Sequence, residues 1–356
     1  MENTRIVKKR NRNNDPEKEA PTGPTGKSGI RSLWKFVVLD IVTAAVILGI
    51  FYLFLNVIPQ YRQYQKLKAQ MDLNTSQPTP IPEVTDDATP KSPQTSSPTF
   101  QDQFSSWFTD EVIMQEDSYS SPDVAVKITR ATDVTQGSKP FSYYVADIHV
   151  STVEGLQAGF PSSHVTETVE KMAKDNHAVL GINGDFYLYI HKGLIIRNGI
   201  VLQADEGTND ICVLYRDGRM ETLEPGEYTV EDILDANPYQ VWSFGPELLD
   251  AEGLPKEEFN TSSNVAKRNP RTAIGYYEPG HYCFVVVDGR KMNKSSGASM
   301  SELSALMREL GCKAAYNFDG GDSSSMVFNG KPINRPSGGG RAVSDIVMIR
   351  DLSDPA

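Results

Sequence analysis

Residues 36–58, FVVLDIVTAAVILGIFYLFLNVI, put 23 nearly continuous apolar positions in one run. A helix on the surface of a water-soluble domain needs a polar face, and this run has none. A bilayer span needs roughly 20 apolar residues, whereas a cleavable signal has an h-region of about 7–15 followed by small residues. The run is too long for the second, and Phe51 to Leu55 supply no cleavage site. The expectation is a transmembrane helix over 34–58 serving as a signal anchor. Asp40 lies about one turn inside its N-terminal end, within reach of headgroups. Nine Lys and Arg against four acids occupy residues 1–35, while only Arg62, Lys66 and Lys68 follow the run closely. The positive-inside rule then places residues 1–33, a basic tail of disordered composition, in the cytoplasm and everything after about residue 60 outside.

Residues 59–99 read as a stalk and linker. Six prolines fall between 75 and 98, among Thr, Ser and acidic residues, a composition that gives a semi-extended spacer. Residues 100–356 form an extracytoplasmic domain. The chain carries a net charge of −11 although its tail is basic, so this domain is strongly acidic. That excludes nucleic acid as a partner, since phosphates demand a basic face.

Within the domain short apolar runs recur: DVAVKITRA, SYYVADIHV, HAVLGIN, ICVLY, YCFVVV, CKAAYNF and DIVMIR. Hairpin signals fall at Asn198 and Gly199, Asp217 and Gly218, Asp288 and Gly289, and Asn329 and Gly330. Helical spacing is rarer. Val165, Val169 and Met172 share one face. Ser299 with Glu302 makes a capping box ahead of Leu303, Leu306, Met307 and Leu310, with Gly311 at the stop. The pattern is α+β: a strand-rich mixed sheet core with a few covering helices, preceded by one transmembrane helix.

The stretch YNFDGGDSSS, 316–325, sets a dense polar cluster directly behind a buried-type strand. Gly320 and Gly321 can expose backbone N–H groups as an anion-binding nest, and Ser323 and Ser324 add hydroxyl donors. Asp319 and Asp322 supply carboxylates. The plain alternative is a polar bend with Asx-type bonding. GINGDFY repeats the grammar at Asn183 and Asp185, and Arg271 and Arg341 each open an apolar strand, Arg being suited to bidentate phosphate binding.

Taken in order, GINGDFY, GLIIRNGIVL, SFGPELL, NPRTAIG, VVVDGR, YNFDGGDSSSMVFNG and GGGRAVSDIVMI resemble the phosphodiester glycosidase family, whose bacterial members are exopolysaccharide-related. The resemblance covers roughly residues 120–350. It implies hydrolysis of a sugar-1-phosphodiester; the topology, not the resemblance, places the substrate in a cell-envelope or extracellular glycopolymer. It also implies a cleft containing Asn183, Arg271, Asn317, Asp319, Gly320, Gly321, Ser324, Arg341 and Ser344. Asp185 and Asp322 stand where many members have a small residue, so neither inherits a role. The leaving group is a phosphate whose second pKa is near 6, so charge stabilisation by Arg271, Arg341 and the glycine N–H groups should dominate. A carboxylate stabilises the oxocarbenium-like centre or activates water; Asp319 is the first choice and Asp185 the second.

No cofactor is required by this reading. A second arrangement has Asp319, Asp322 and Asn317 holding Ca²⁺ or Mg²⁺ through oxygen ligands. Cys212, Cys283 and Cys312 lack zinc spacing and read as buried and inert, with one disulfide among them left open. The histidines at 149, 164, 177, 191 and 281 show no partner pattern. The expected protein is a single-pass one of a bacterial cell membrane, acting on carbohydrate; the competing reading is a non-catalytic glycan-binding or scaffold module on the same fold.

Overall fold

The computed structural model describes residues 27–52, 99–134, 139–162, 165–190, 192–290 and 295–353. The tail before residue 27, the linker 53–98, His164 and His191 lie outside them. Contacts divide the chain into Met1–Arg62 and Gln63–Ala356. In the first unit a helix runs Lys27–Tyr52. Side chains 37–51 are described and exposed. Among the described residues no helix is long and apolar enough to cross a membrane; the apolar run 36–58 extends beyond them at its C-terminal end.

The second unit is built on three antiparallel sheets. The first orders β1 (Ile113–Met114), β2 (Ser118–Ser120), β3 (Val124–Val134), β4 (Phe141–Val150), β13 (His281–Val287), β12 (Arg271–Glu278) and β14 (Ala314–Asn317) side by side. The second orders β10 (Met220–Leu223), β9 (Ile211–Tyr215), β11 (Pro238–Trp242), β7 (Leu194–Arg197) and β8 (Ile200–Ala204). The third orders β16 (Lys331–Pro332), β15 (Met326–Phe328), β6 (Leu180–Asn183), β17 (Ile346–Ile349) and β5 (Leu156–Gly159). The α+β class stands. The sheets are not mixed: every strand pair among the described residues is antiparallel.

Strand alternation explains how three sheets share one interior. Tyr144, Ile148, Phe284 and Ile274 of the first sheet meet Leu214 and Trp242 of the second and Ile182, Phe328 and Val347 of the third in one buried cluster. The opposite face of each sheet takes its own helix. Met300–Glu309 covers the first sheet through Leu303, Leu306 and Met307. Val169–Asp175 covers the third through Met172 and Ala173. Val230–Asp235 packs Ile233 on the second. Strands are therefore buried on both faces, which is why so many read as continuous apolar runs.

Three of the four hairpin signals hold, with Asn198 at φ 52° and Gly199 at 78° joining β7 to β8, and Asn329 at 47° and Gly330 at 67° joining β15 to β16. Asp288 and Gly289 form no hairpin. Asp288 is buried, and its Oδ1 accepts from Asn334 Nδ2 (3.2 Å) and Arg335 N (3.1 Å). Ser299 and Glu302 form the expected capping box. The earlier helix starts at Val169 behind the N-cap Thr168, so Val165 lies outside it.

Candidate functional site

The loop 318–325 carries the chain from β14, an edge of the first sheet, to β15 in the third. Register fixes what meets there. Asn317 pairs with Ala273, two residues from Arg271 at the start of β12. Asn183, at the end of β6, pairs with Ile346, just after Ser344 and Asp345. Ends of four strands from two sheets thus converge beside one loop.

Asn183 ties them together. Its Nδ2 donates to the backbone oxygens of Asp319 (2.7 Å) and Gly184 (3.2 Å). Its Oδ1 accepts from Thr272 Oγ1 (2.8 Å) and Ser325 N (3.3 Å). The side chain is fully buried, so it positions the loop rather than meeting a ligand.

A cavity of about 240 Å³ opens here, with Arg271, Arg290, Asn317, Asp319 and Gly320 among its lining residues. Asp319 is the only acidic side chain lining it among the described residues. Its Oδ2 accepts from Ser323 Oγ (2.6 Å) and from Arg341 Nη2, while Ser323 Oγ accepts from Arg341 Nε (2.9 Å). Arg341 is half exposed, with its guanidinium 5.1 Å above the Phe186 ring.

Arg271 is buried, and among the described residues its hydrogen bonds go to backbone carbonyls and not to a carboxylate. Nε donates to Ala298 O (2.9 Å) and Nη2 to Val265 O (2.6 Å) and Lys267 O. Burial pushes its pKa down to about 10 while the charge of Glu302 opposes the shift, so the guanidinium stays charged at neutral pH. Asn317 donates to Gly245 O (3.0 Å), but among the described residues its buried Oδ1 has no partner, and neither has the buried Ser324 Oγ. Buried acceptors without partners cost about 1–3 kcal/mol each, so Asn317 offers an acceptor at the cavity wall.

Several sequence expectations are corrected. The glycine N–H groups form no open nest: Gly320 N donates to Asp319 Oδ1 (2.9 Å) and Gly321 N to Pro270 O (3.0 Å). Gly320 is needed for close approach, since a Cβ there would lie 2.8 Å from Pro270 O. Gly321, at φ +67°, occupies the left-handed region. Asp322 pairs with Arg290 at the rim (2.7 Å), both half exposed. Asp319 and Asp322, the carboxylates of the alternative divalent-cation arrangement with Asn317, are each held by an arginine, Arg341 and Arg290. Ser344 is buried and is not among the lining residues.

Asp185 is also absent from the cavity. It is fully buried, bonding Arg197 Nη2 (2.5 Å) through Oδ1 and accepting from Ser243 N (3.1 Å) through Oδ2. Arg197 Nε meets Asp345 Oδ2 at 2.9 Å. Burial pushes Asp345 up to about 6; Arg197 pulls it down and Asp185 pushes it further up. Burial opposes the charge on Arg197, but its two carboxylates more than offset that and raise its pKa. This triad is a structural charge cluster beneath the site. Arg197, Asp345 and Arg290 fall within the motifs GLIIRNGIVL, GGGRAVSDIVMI and VVVDGR, but nothing local in the sequence marks their roles.

Residues 176–350 match the family described as phosphodiester glycosidase. Over 190 residues the chain is 30% identical to an SPbeta prophage-derived uncharacterized protein, YomE, of Bacillus subtilis (strain 168), a match covering 51% of this chain and 29% of the relative. Over 210 residues it is 28% identical to N-acetylglucosamine-1-phosphodiester alpha-N-acetylglucosaminidase of Bos taurus, covering 52% and 38%. The chain thus spans well under half the length of both curated relatives. Among solved structures, the zebrafish N-acetylglucosamine-1-phosphodiester alpha-N-acetylglucosaminidase catalytic domain, auto-inhibited by its pro-peptide, aligns with TM-score 0.53 at 22% identity, covering 68% of this chain and 88% of that one. A hypothetical protein from Synechocystis aligns with TM-score 0.50 at 14% identity, covering 65% and 63%. These two likenesses speak to the fold alone.

Proposed function

We propose, from the premise that residues 176–350 belong to the phosphodiester glycosidase family, that this chain hydrolyses sugar-1-phosphodiester linkages in a cell-envelope or extracellular glycopolymer. The observation that carries the reading is one cavity that, among the described residues, holds a single carboxylate, Asp319, beside a buried arginine with no carboxylate in ion-pair distance, Arg271. Ordinary glycoside hydrolysis uses two carboxylates, one of them to protonate the leaving oxygen. A phosphate leaving group, with its second pKa near 6, departs without that acid. One carboxylate and a cluster of arginines therefore suit a phosphodiester better than a plain glycoside. In this mechanism Arg271 and Arg290 neutralise the phosphate oxygens, Asn317 Oδ1 accepts from a sugar hydroxyl, and Asp319 supports the anomeric centre or activates water. About 240 Å³ is below the roughly 300–1,000 Å³ of drug-sized sites, so it would take one sugar unit and its phosphate, the rest of the polymer lying outside.

The test is incubation of the full-length chain in detergent with a panel of sugar-1-phosphodiesters, following release of reducing sugar. Activity that vanishes in Asp319→Asn supports the reading. Silence across the panel sinks it in favour of a glycan-binding module.

The same proposal includes a membrane anchor at 34–58 with the domain outside the cytoplasm, motivated by the apolar run and the basic residues before it. The chain should stay with membranes through a carbonate wash and lose its C-terminal domain to protease added outside cells. Release by carbonate, or full protection from protease, would contradict it.

A further inference from the structure

We propose that Asp147, His149 and His281 form a binding site for a transition-metal dication of the Zn²⁺ class, separate from the cavity at Asp319. Asp147 and His149 are two apart on β4, so their side chains share a face. His281 on β13 lies directly opposite His149 in register. One donor atom from each of the three falls within 4.8 Å of the others. This is two imidazoles and one carboxylate on adjacent antiparallel strands, a donor set suited to Zn²⁺ and its neighbours.

A second observation points to a ligand. His149 is 2% exposed, and its Nδ1 is buried with no hydrogen-bond partner among the described residues. The ring is held in place by Trp107, stacked at 4.1 Å, by His281 at 4.1 Å on the other side, and by the Phe104 edge at 4.8 Å. Tyr277 stacks on the far face of His281 at 4.3 Å. His281 Nε2 already lies 2.7 Å from Asp147 Oδ1.

Metal bonds of about 2.0–2.2 Å require the donors to draw closer than they now stand. The imidazole planes are 19° apart, so the rings must tilt toward a common point. Asp147 and His281, 35% and 21% exposed at their side chains, have room to do so and leave an entry path. Lys127 faces Asp147 in register and is the nearby charge a dication must outcompete. Binding would clamp β4 to β13 at the end of the sheet where Phe104 and Trp107 pack.

The test uses the full-length chain in detergent, freed of metal by chelator dialysis and titrated with Zn²⁺ alone and Co²⁺ alone. The expected results are one equivalent bound per chain, a visible Co²⁺ absorption band, and a change in tryptophan emission that Trp107→Phe removes. His281→Gln and Asp147→Asn should each weaken binding by at least about tenfold, while His177→Gln, at an exposed histidine elsewhere, should leave it unchanged. Thermal unfolding of the metal-free variants checks their fold; if one fails to fold, the other carries the comparison. No binding by the parent, binding that survives both cluster substitutions, or equal loss in His177→Gln would overturn the site and leave an aromatic stack only.

Discussion

Asp319 and Arg271 share a wall of one cavity but are held in different ways, and their substitutions should behave differently. Asp319 receives two side-chain donors, and Asn preserves its shape. Asp319→Asn should leave the unfolding temperature within a few degrees of the parent while lowering kcat by about 10²–10⁴-fold, measured as reducing-sugar release beside a thermal melt. Arg271 holds three backbone carbonyls. Arg271→Ala should cost about 3 kcal/mol in denaturant unfolding as well as activity, so it cannot separate catalysis from folding. Asn183→Ala removes four hydrogen bonds around the loop. It should lower stability by about 2–3 kcal/mol and lower activity through misplacement of Asp319; unchanged turnover would refute its positioning role. Asp319, Arg271 and Asn183 were legible as polar groups clustered behind apolar runs. What each does was not, because Asp185 finds Arg197 twelve residues on and Arg197 finds Asp345 a further 148 away, and no local pattern announces such a partner.

At the scale of elements, the readable features are those whose cause lies within a few residues. Asn-Gly turns demand left-handed backbone, and Asn198, Gly199, Asn329 and Gly330 adopt it. The Ser299 capping box forms because its two hydrogen bonds close within one turn, from Glu302 N to Ser299 Oγ (3.2 Å) and from Ser299 N to Glu302 Oε2 (2.8 Å). Ser299→Ala should cost about 1 kcal/mol in urea unfolding; no measurable change would show that sheet packing alone sets this helix. Asp288 and Gly289 look like a hairpin turn and are not, since the Asp288 carboxylate is drawn to Asn334 and Arg335 across the fold. Antiparallel pairing throughout was likewise invisible, because strands buried on both faces lose the alternation that marks such sheets. Gly184 shows the reverse constraint. A Cβ there would fall 2.2 Å from Asp345 Oδ1, so Gly184→Ala should displace the buried triad and destabilise the third sheet.

At the scale of the whole domain, buried ionisable groups set the response to acid. The folded pKa of His149, about 4, is below an unfolded value near 6.5. The unfolded chain therefore binds more protons between those values, and stability from this group is present above about pH 6.5 and lost as pH falls toward 4. Asp345, raised to about 6, acts with the opposite sign over an overlapping window. The comparison that isolates His149 is parent against His149→Phe. Between pH 7 and 5 the parent should lose about 1–2 kcal/mol more than the variant; parallel curves would mean that the imidazole titrates in the fold much as it does in water.

The strand β12 divides its labour between its two sides. Arg271 and Ala273 look toward the covering helix Met300–Glu309 and the cavity, while Thr272 and Ile274 look into the shared interior, where Thr272 reaches Asn183. A deletion of one residue just after Gly275, still within the strand, would spare every recognisable motif in the chain. It would nonetheless set the arginine and the threonine out of phase with the packing that follows them. Descendants of this protein could thus keep the family's wording letter for letter and still be mute, and a genome survey that counts motifs would score them as active.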